Sequence, residues 1–298
     1  MYSGLLMILL PLIAGYLIPL HRRQQLQLIN RLLSLMIYVI LFFMGISLAF
    51  IADISSNLLL ILQYTAVFSL CILGANLLLL ALLERHMQWH NTHKQENLPS
   101  RLHMALEPLK LCGMVLSGFL LGLTQWQWLP FASKGSEYAL IILLLLVGIQ
   151  LRSSGMTLRQ ILLNRRGTIV AGVVTLASLA GGALAAQLMK LPLKVGLAMA
   201  SGFGWYSLSG ILITDAYGPV LGSVAFFNDL ARELVAIMLI PTLVRHSSCS
   251  ALGLCGATSM DITLPMLRRS GGLEMVPPAI VHGFLLSLLA PVLIVLFS

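Results

Sequence analysis

Ten stretches of this sequence are too apolar and too long to cover the outside of a water-soluble fold, and they constrain everything else. They run over residues 2–20, 32–52, 58–83, 111–129, 138–151, 168–189, 195–214, 219–244, 249–267 and 273–297. Roughly 20 apolar residues carry a helix across about 30 Å of hydrocarbon, and nearly every stretch has that length. The stretch at 138–151 is short and needs Glu137 and Arg152 at its two interfaces. Only 9% of the 298 residues are charged, against about 25% in a soluble domain. Disorder, collagen, coiled coil and a secreted disulfide scaffold are excluded. The expectation is an all-α polytopic membrane protein, with residues 1–298 as one transmembrane domain in the lipid bilayer.

The formal charge of +8 does not point to nucleic acid. Its 18 basic residues stand singly or in pairs between apolar stretches, where they act as orientation signals. If all ten stretches cross, alternate gaps hold 13 and 4 of them, leaving Arg232 inside a stretch. The richer gaps belong in the cytoplasm, so both termini are expected in the periplasm of a bacterial inner membrane. A variant has eight full spans, with 195–214 and 249–267 broken or re-entrant. It moves Arg245 inside and scores 14 against 3. The first stretch has its positive flank, Arg22 and Arg23, on the C-terminal side. It reads as a retained helix, because a cleaved signal has the reverse order. Cys71, Cys112, Cys249 and Cys255 form no CxxC pair and read as small buried hydrophobes.

Charge inside a span is costly, about 2.5–3.5 kcal/mol for a central Asp, so an intramembrane acid is a functional candidate. Asp53, Glu84, Glu96, Glu107 and Glu137 fall in gaps or at interfaces, whereas Asp229, Glu233 and Asp261 lie deep. Asp229, Arg232 and Glu233 share one helix face at i, i+3 and i+4. Arg232 reaching back to Asp229 would leave Glu233 as the carboxylate for an ammonium, or for a proton or another cation. The alternative is an ion-pair set that only pins the helix to a neighbour. With Asp261 the cluster carries a net −2, which favours cations.

Two stretches make poor continuous helices. Gly202–Gly210 reads Gly-Phe-Gly-Trp-Tyr-Ser-Leu-Ser-Gly, and Gly256–Asp261 reads Gly-Ala-Thr-Ser-Met-Asp before Pro265. Broken helices meeting near the midplane are a common way for secondary transporters to build a site, although small residues also serve plain helix packing. Asn228, Trp205, Tyr206, Ser207, Ser209, Thr258 and Ser259 are the cavity candidates, with Trp205 and Tyr206 offering a face to an ammonium. His282 would relay protons or bond to a helix backbone. His86, His90 and His93 have metal-ligand spacing but sit in a hydrophilic gap, so no metal or other cofactor is expected. Protease motifs fail: Ser207-Leu208-Ser209-Gly210 lacks the leading Gly, and no Gly-x-Gly precedes Asp261. The chain is not expected to be an enzyme.

Four stretches resemble the LysO lysine exporter family: Leu146–Arg152, Gly202–Gly210, Asn228–Glu233 and Gly256–Asp261. The likeness runs from Gly4-Leu5-Leu6 to the last stretch. It implies secondary active export of L-lysine, and of analogues such as thialysine, by exchange with protons. It also implies that Glu233 and Asp261 are the functional acids, and more distantly a fold with crossed broken helices. An inorganic cation/proton antiporter and a non-transporting membrane subunit are the rival readings. A homodimer is compatible with the sequence.

Overall fold

A computed structural model describes residues 10–11, 13–18, 23–50, 54–87, 89, 101–124, 132–153 and 164–298. Most of stretch 2–20, together with His90 and His93, lies outside them.

The described residues form helices and turns, with no strand among them. In chain order they are α1 (Arg23–Ala49), α2 (Ile54–Met87), α3 (Arg101–Gly122), α4 (Ala132–Ser153), α5 (Arg165–Leu188) and α6 (Leu193–Ala200). Then come α7 (Tyr206–Tyr217), α8 (Pro219–His246), α9 (Ser248–Cys255), α10 (Leu264–Gly271) and α11 (Val276–Phe297). Four apolar helical stretches are individually long enough to cross a bilayer: Gln24–Ile46, Asn57–Met87, Arg165–Leu188 and Leu273–Phe297. The stretch at 138–151 is short as an apolar run, Ile141–Gln150, but the helix that carries it is longer. α4 has 22 residues, because Ser, Lys and Gly at 133–135 interrupt the apolar run without interrupting the helix.

Stretches 195–214 and 249–267 are both broken. The first becomes α6 and α7, joined through Ser201–Trp205, where Phe203 (φ 50°) and Gly204 (φ 89°) are left-handed and stop the helix. The second becomes α9, a 3-10 turn over Gly256–Met260, and α10. Gly256 has φ 60° and ψ −140°, a conformation that L side chains rarely adopt.

The two broken stretches lie at opposite ends of the bundle, 195–214 towards the C-terminal ends of α5 and α11 and 249–267 towards their N-terminal ends. α5 and α11 run in the same direction, with Gly167 against Pro278 and Val281. α6 turns back along α5, Gly182 against Gly196, and the missing side chains let the two backbones touch. α7 then returns outward, so that the Tyr217 hydroxyl donates to the Phe297 carbonyl at the end of α11 (2.6 Å). At the opposite end α9 starts beside Glu84 of α2. Near it the Arg166 guanidinium lies 5.1 Å from the Trp89 ring, and α11 begins beside Gly167. Arg85, Arg166, Arg245, Arg268 and Arg269 therefore share one end, and Lys190 and Lys194 lie at the other.

The helices group into two bodies. α1 packs chiefly on α3 and α4, and the rest pack on one another, with few contacts between the groups. Within the first body, glycine allows close approach: Gly45 meets Val115, and Gly118 meets Phe42. The second body contains both broken stretches and the cavity's acidic wall.

Candidate functional site

The two breaks cross at the middle of α8, and peptide groups join them. The Ala257 N–H donates to the Phe203 carbonyl (2.9 Å). Breaking a helix in an apolar interior strands backbone donors and acceptors, each needing a partner. α8 supplies two of those partners from one face.

Asp229 serves the first break. It is 2% exposed and accepts from the Gly204 N–H (3.0 Å) and the Ser209 hydroxyl (2.5 Å). Both donors belong to the N-terminal end of α7, where the helix field favours an anion. Gly202 must be glycine, because a Cβ there would run into this carboxylate. Arg232 serves the second break. Its Nη2 donates to the Gly253 carbonyl (2.8 Å), its Nε to the Leu254 carbonyl (3.1 Å) and its Nη1 to the Ser178 hydroxyl (3.4 Å). Both carbonyls lie at the C-terminal end of α9, where a cation is favoured, and that of Gly253 also accepts from the Gly256 N–H. The expected pairing of Arg232 with Asp229 is not formed. Their shared face is real, but each is drawn to a different helix end.

Asp261 lies apart from both. It is exposed, follows the 3-10 turn, and accepts from the Ile262 N–H through Oδ1 (2.6 Å). It belongs to a cavity of about 260 Å³ between the two bodies, close to the lower limit of ordinary small-molecule pockets. One wall carries Trp205, Tyr206, Ala257, Thr258, Met260, Asp261, Ile262 and Ser287. The other carries Leu33, Ser34, Ile37 and Tyr38 of α1 with Leu143, Val147 and Gln150 of α4. Asp261 is the one charged side chain among these lining residues. Met44, further along α1, lies against Gly210 of α7 on the Phe297 side of the crossing, so Leu33 and Ser34 carry the cavity from the crossing towards the basic end.

Of the expected cavity residues, the structure brings Trp205, Tyr206 and Thr258 to Asp261 and places the others elsewhere. Ser209 is bound to Asp229, and Ser259 donates to the Ala279 carbonyl (2.9 Å), tying the turn to α11. Asn228 accepts from Ser69 of α2 (3.1 Å), and Ser207 is 2% exposed. Glu233 is 1% exposed on α8, away from the cavity lining. His282 is fully buried, with neither ring nitrogen hydrogen-bonded.

Two further polar groups at the crossing, Asn76 and Ser178, went unread in the sequence. Asn76 donates to Ser178 (2.9 Å) and to the Ile72 carbonyl (2.7 Å), which joins α2 and α5 to Arg232. An amide in the middle of an apolar stretch was the available signal. Glu84, read as an interface charge, accepts from the Cys249 N–H (2.6 Å) and the Ser247 hydroxyl (3.1 Å). It caps α9 as an anion at a helix N-terminus.

Apolar helices, two broken stretches crossing inside the bundle and an acidic cavity beside them define a multi-pass membrane protein. The family model described as "Lysine exporter LysO" matches residues 112–298. The lysine exporter LysO of Escherichia coli K12 is 64% identical over 298 residues, the whole of both chains. A putative lysine exporter of Haemophilus influenzae is 45% identical over 189 residues, covering 63% of this chain and 97% of its own length. The chain belongs to the lysine exporter LysO family. No solved structure matches it.

Proposed function

We propose that this protein exports L-lysine across the bacterial inner membrane, with protons entering in exchange, and that it also carries lysine analogues such as thialysine. The observation that carries the reading is the placement of Asp261: an exposed carboxylate in a cavity at the crossing of two broken helices. Whole-length similarity to a lysine exporter supplies the substrate.

The grouping of Arg85, Arg166, Arg245, Arg268 and Arg269 supports eight spans and two re-entrant stretches, with the basic end in the cytoplasm and both termini in the periplasm. The cavity then faces the cytoplasm, the loading side for an exporter. Asp261 receives an ammonium of lysine, and Trp205 and Tyr206 flank it. Glu233, enclosed in α8 behind the crossing, acts on the proton side of the cycle. This divides the two acids differently from the sequence expectation, which gave the ammonium to Glu233. Exchange for a proton matters energetically. Moving a monocation outward against an inside-negative potential costs about 2.3 kcal/mol per 100 mV, and one-for-one exchange removes that electrical term.

The test is lysine counterflow in proteoliposomes with the wild type, Asp261→Asn and Glu233→Gln. Wild-type exchange of labelled lysine, lost in Asp261→Asn at unchanged thermal stability, supports the assignment. Glu233→Gln should retain counterflow and lose acceleration by a proton gradient. Exchange of Na⁺ without lysine would support an inorganic cation antiporter, and no flux of either would support a non-transporting subunit.

A further inference from the structure

The cavity has one fixed negative charge and no basic side chain among its described lining residues. Lysine brings two ammonium groups and one carboxylate, a net +1. Asp261 balances that net charge, but the carboxylate still needs donors within the cavity, because a buried anion without hydrogen bonds is strongly penalised. Arg152, the nearest guanidinium in sequence to Gln150, is 5.6 Å from the Tyr16 ring and is not part of the lining. Among the described lining residues the donors are neutral. Across from the acidic wall, α1 offers the Tyr38 phenol and α4 offers the Gln150 amide, on adjacent helices of the other body. Both side chains donate strong hydrogen bonds and carry no charge.

We propose that Tyr38 and Gln150 form the carboxylate subsite of this cavity, making it selective for a monocationic amino acid over a diamine of the same length. The inference rests on the lysine-export reading and adds the group that distinguishes lysine from its decarboxylated counterpart. A diamine brings +2 to a site balanced for +1 and leaves Tyr38 and Gln150 without the anion they are placed to bind. A neutral amino acid of the same length satisfies those donors and leaves Asp261 unbalanced. Because the two subsites belong to different bodies, lysine bridges the interface between them, and a diamine holds one side only.

The experiment is lysine counterflow in proteoliposomes competed by lysine, 1,5-diaminopentane and norleucine. The readout is the ratio of half-inhibitory concentrations, which does not depend on the amount of active protein. The wild type should prefer lysine to the diamine by about tenfold or more, the scale of one hydrogen bond to a charged group. Tyr38→Phe removes a single oxygen, and Tyr38→Phe combined with Gln150→Ala should erase that preference by weakening lysine while leaving the diamine unchanged. Gln150→Glu adds a second negative charge and should turn the preference towards the diamine. Variants that keep the wild-type ratio, or weaken both ligands equally, overturn the subsite. A wild type that exchanges no lysine removes the export reading itself, and the subsite with it.

Discussion

Replacing Arg232 separates a structural charge from a transport charge. In Arg232→Leu the Leu254 carbonyl loses the guanidinium donor in a buried site, while the Gly253 carbonyl keeps the Gly256 N–H. Each buried acceptor left unsatisfied costs about 1–3 kcal/mol. The C-terminal end of α9 also loses its cation, up to about 2 kcal/mol in a partly buried setting. Against this, leucine avoids the desolvation of a guanidinium, which is itself several kcal/mol. The losses outweigh that relief, because Asp229 loses its nearby counter-charge as well. A net destabilisation of about 3–5 kcal/mol is expected, the range for removing one member of a buried charged set. At about 2–4 °C per kcal/mol, the melting midpoint should fall by roughly 10 °C in detergent, followed by size-exclusion of heated samples. Arg232→Lys keeps the charge but loses the planar fork that reaches two carbonyls and Ser178 together, so it should fall about half as far. An Arg232→Leu protein that melts within 2 °C of the wild type, yet no longer exchanges lysine, would refute the structural role.

Three further outcomes follow from the same geometry. Gly256→Ala combines a left-handed backbone with a Cβ directed at the Phe203 carbonyl, so its yield of folded protein should collapse, measured as monodisperse material after extraction. Glu84→Gln keeps an acceptor for the Cys249 N–H but deletes the anion at the start of α9, and should lower the melting midpoint by about 0.3–1 kcal/mol equivalent. A cysteine at exposed Asp215 should react with an impermeant reagent in intact cells, as one at Lys190 should. Opposite responses at the two positions would mean that residues 195–214 cross the membrane.

The breaks were legible because their composition is local. Phe203-Gly204 and Gly256 announce backbone that a continuous helix does not tolerate, whatever surrounds it. The depth of Asp229, Arg232 and Glu233 was legible for the same reason, being a count of apolar neighbours. What Arg232 binds was not legible. Helical spacing places it beside Asp229, but the carbonyls it takes come from residues 253 and 254, at the far end of the next helix. Asp261 and Glu233 look alike in sequence, each an acid inside an apolar run. Only packing distinguishes them, by opening a cavity at one and closing helices around the other. The choice between crossing and re-entrant stretches turned on one arginine in the charge count, and it is the contacts of Tyr217 with Phe297 and of Cys249 with Glu84 that speak to it.

The bond from Ala257 to Phe203, together with the anchoring of both breaks on α8, has a consequence for leakage. Two separately hinged gates can fail by opening together, and a cell with such a channel loses its ion gradients. Here the two broken stretches are tied to each other by a backbone hydrogen bond and to α8 through Asp229 and Arg232. In the proposed exporter, a displacement that uncovers the cavity from one face would carry the joined breaks across the other. On that reading mutual exclusion would follow from the connectivity, with no signal passing between gates.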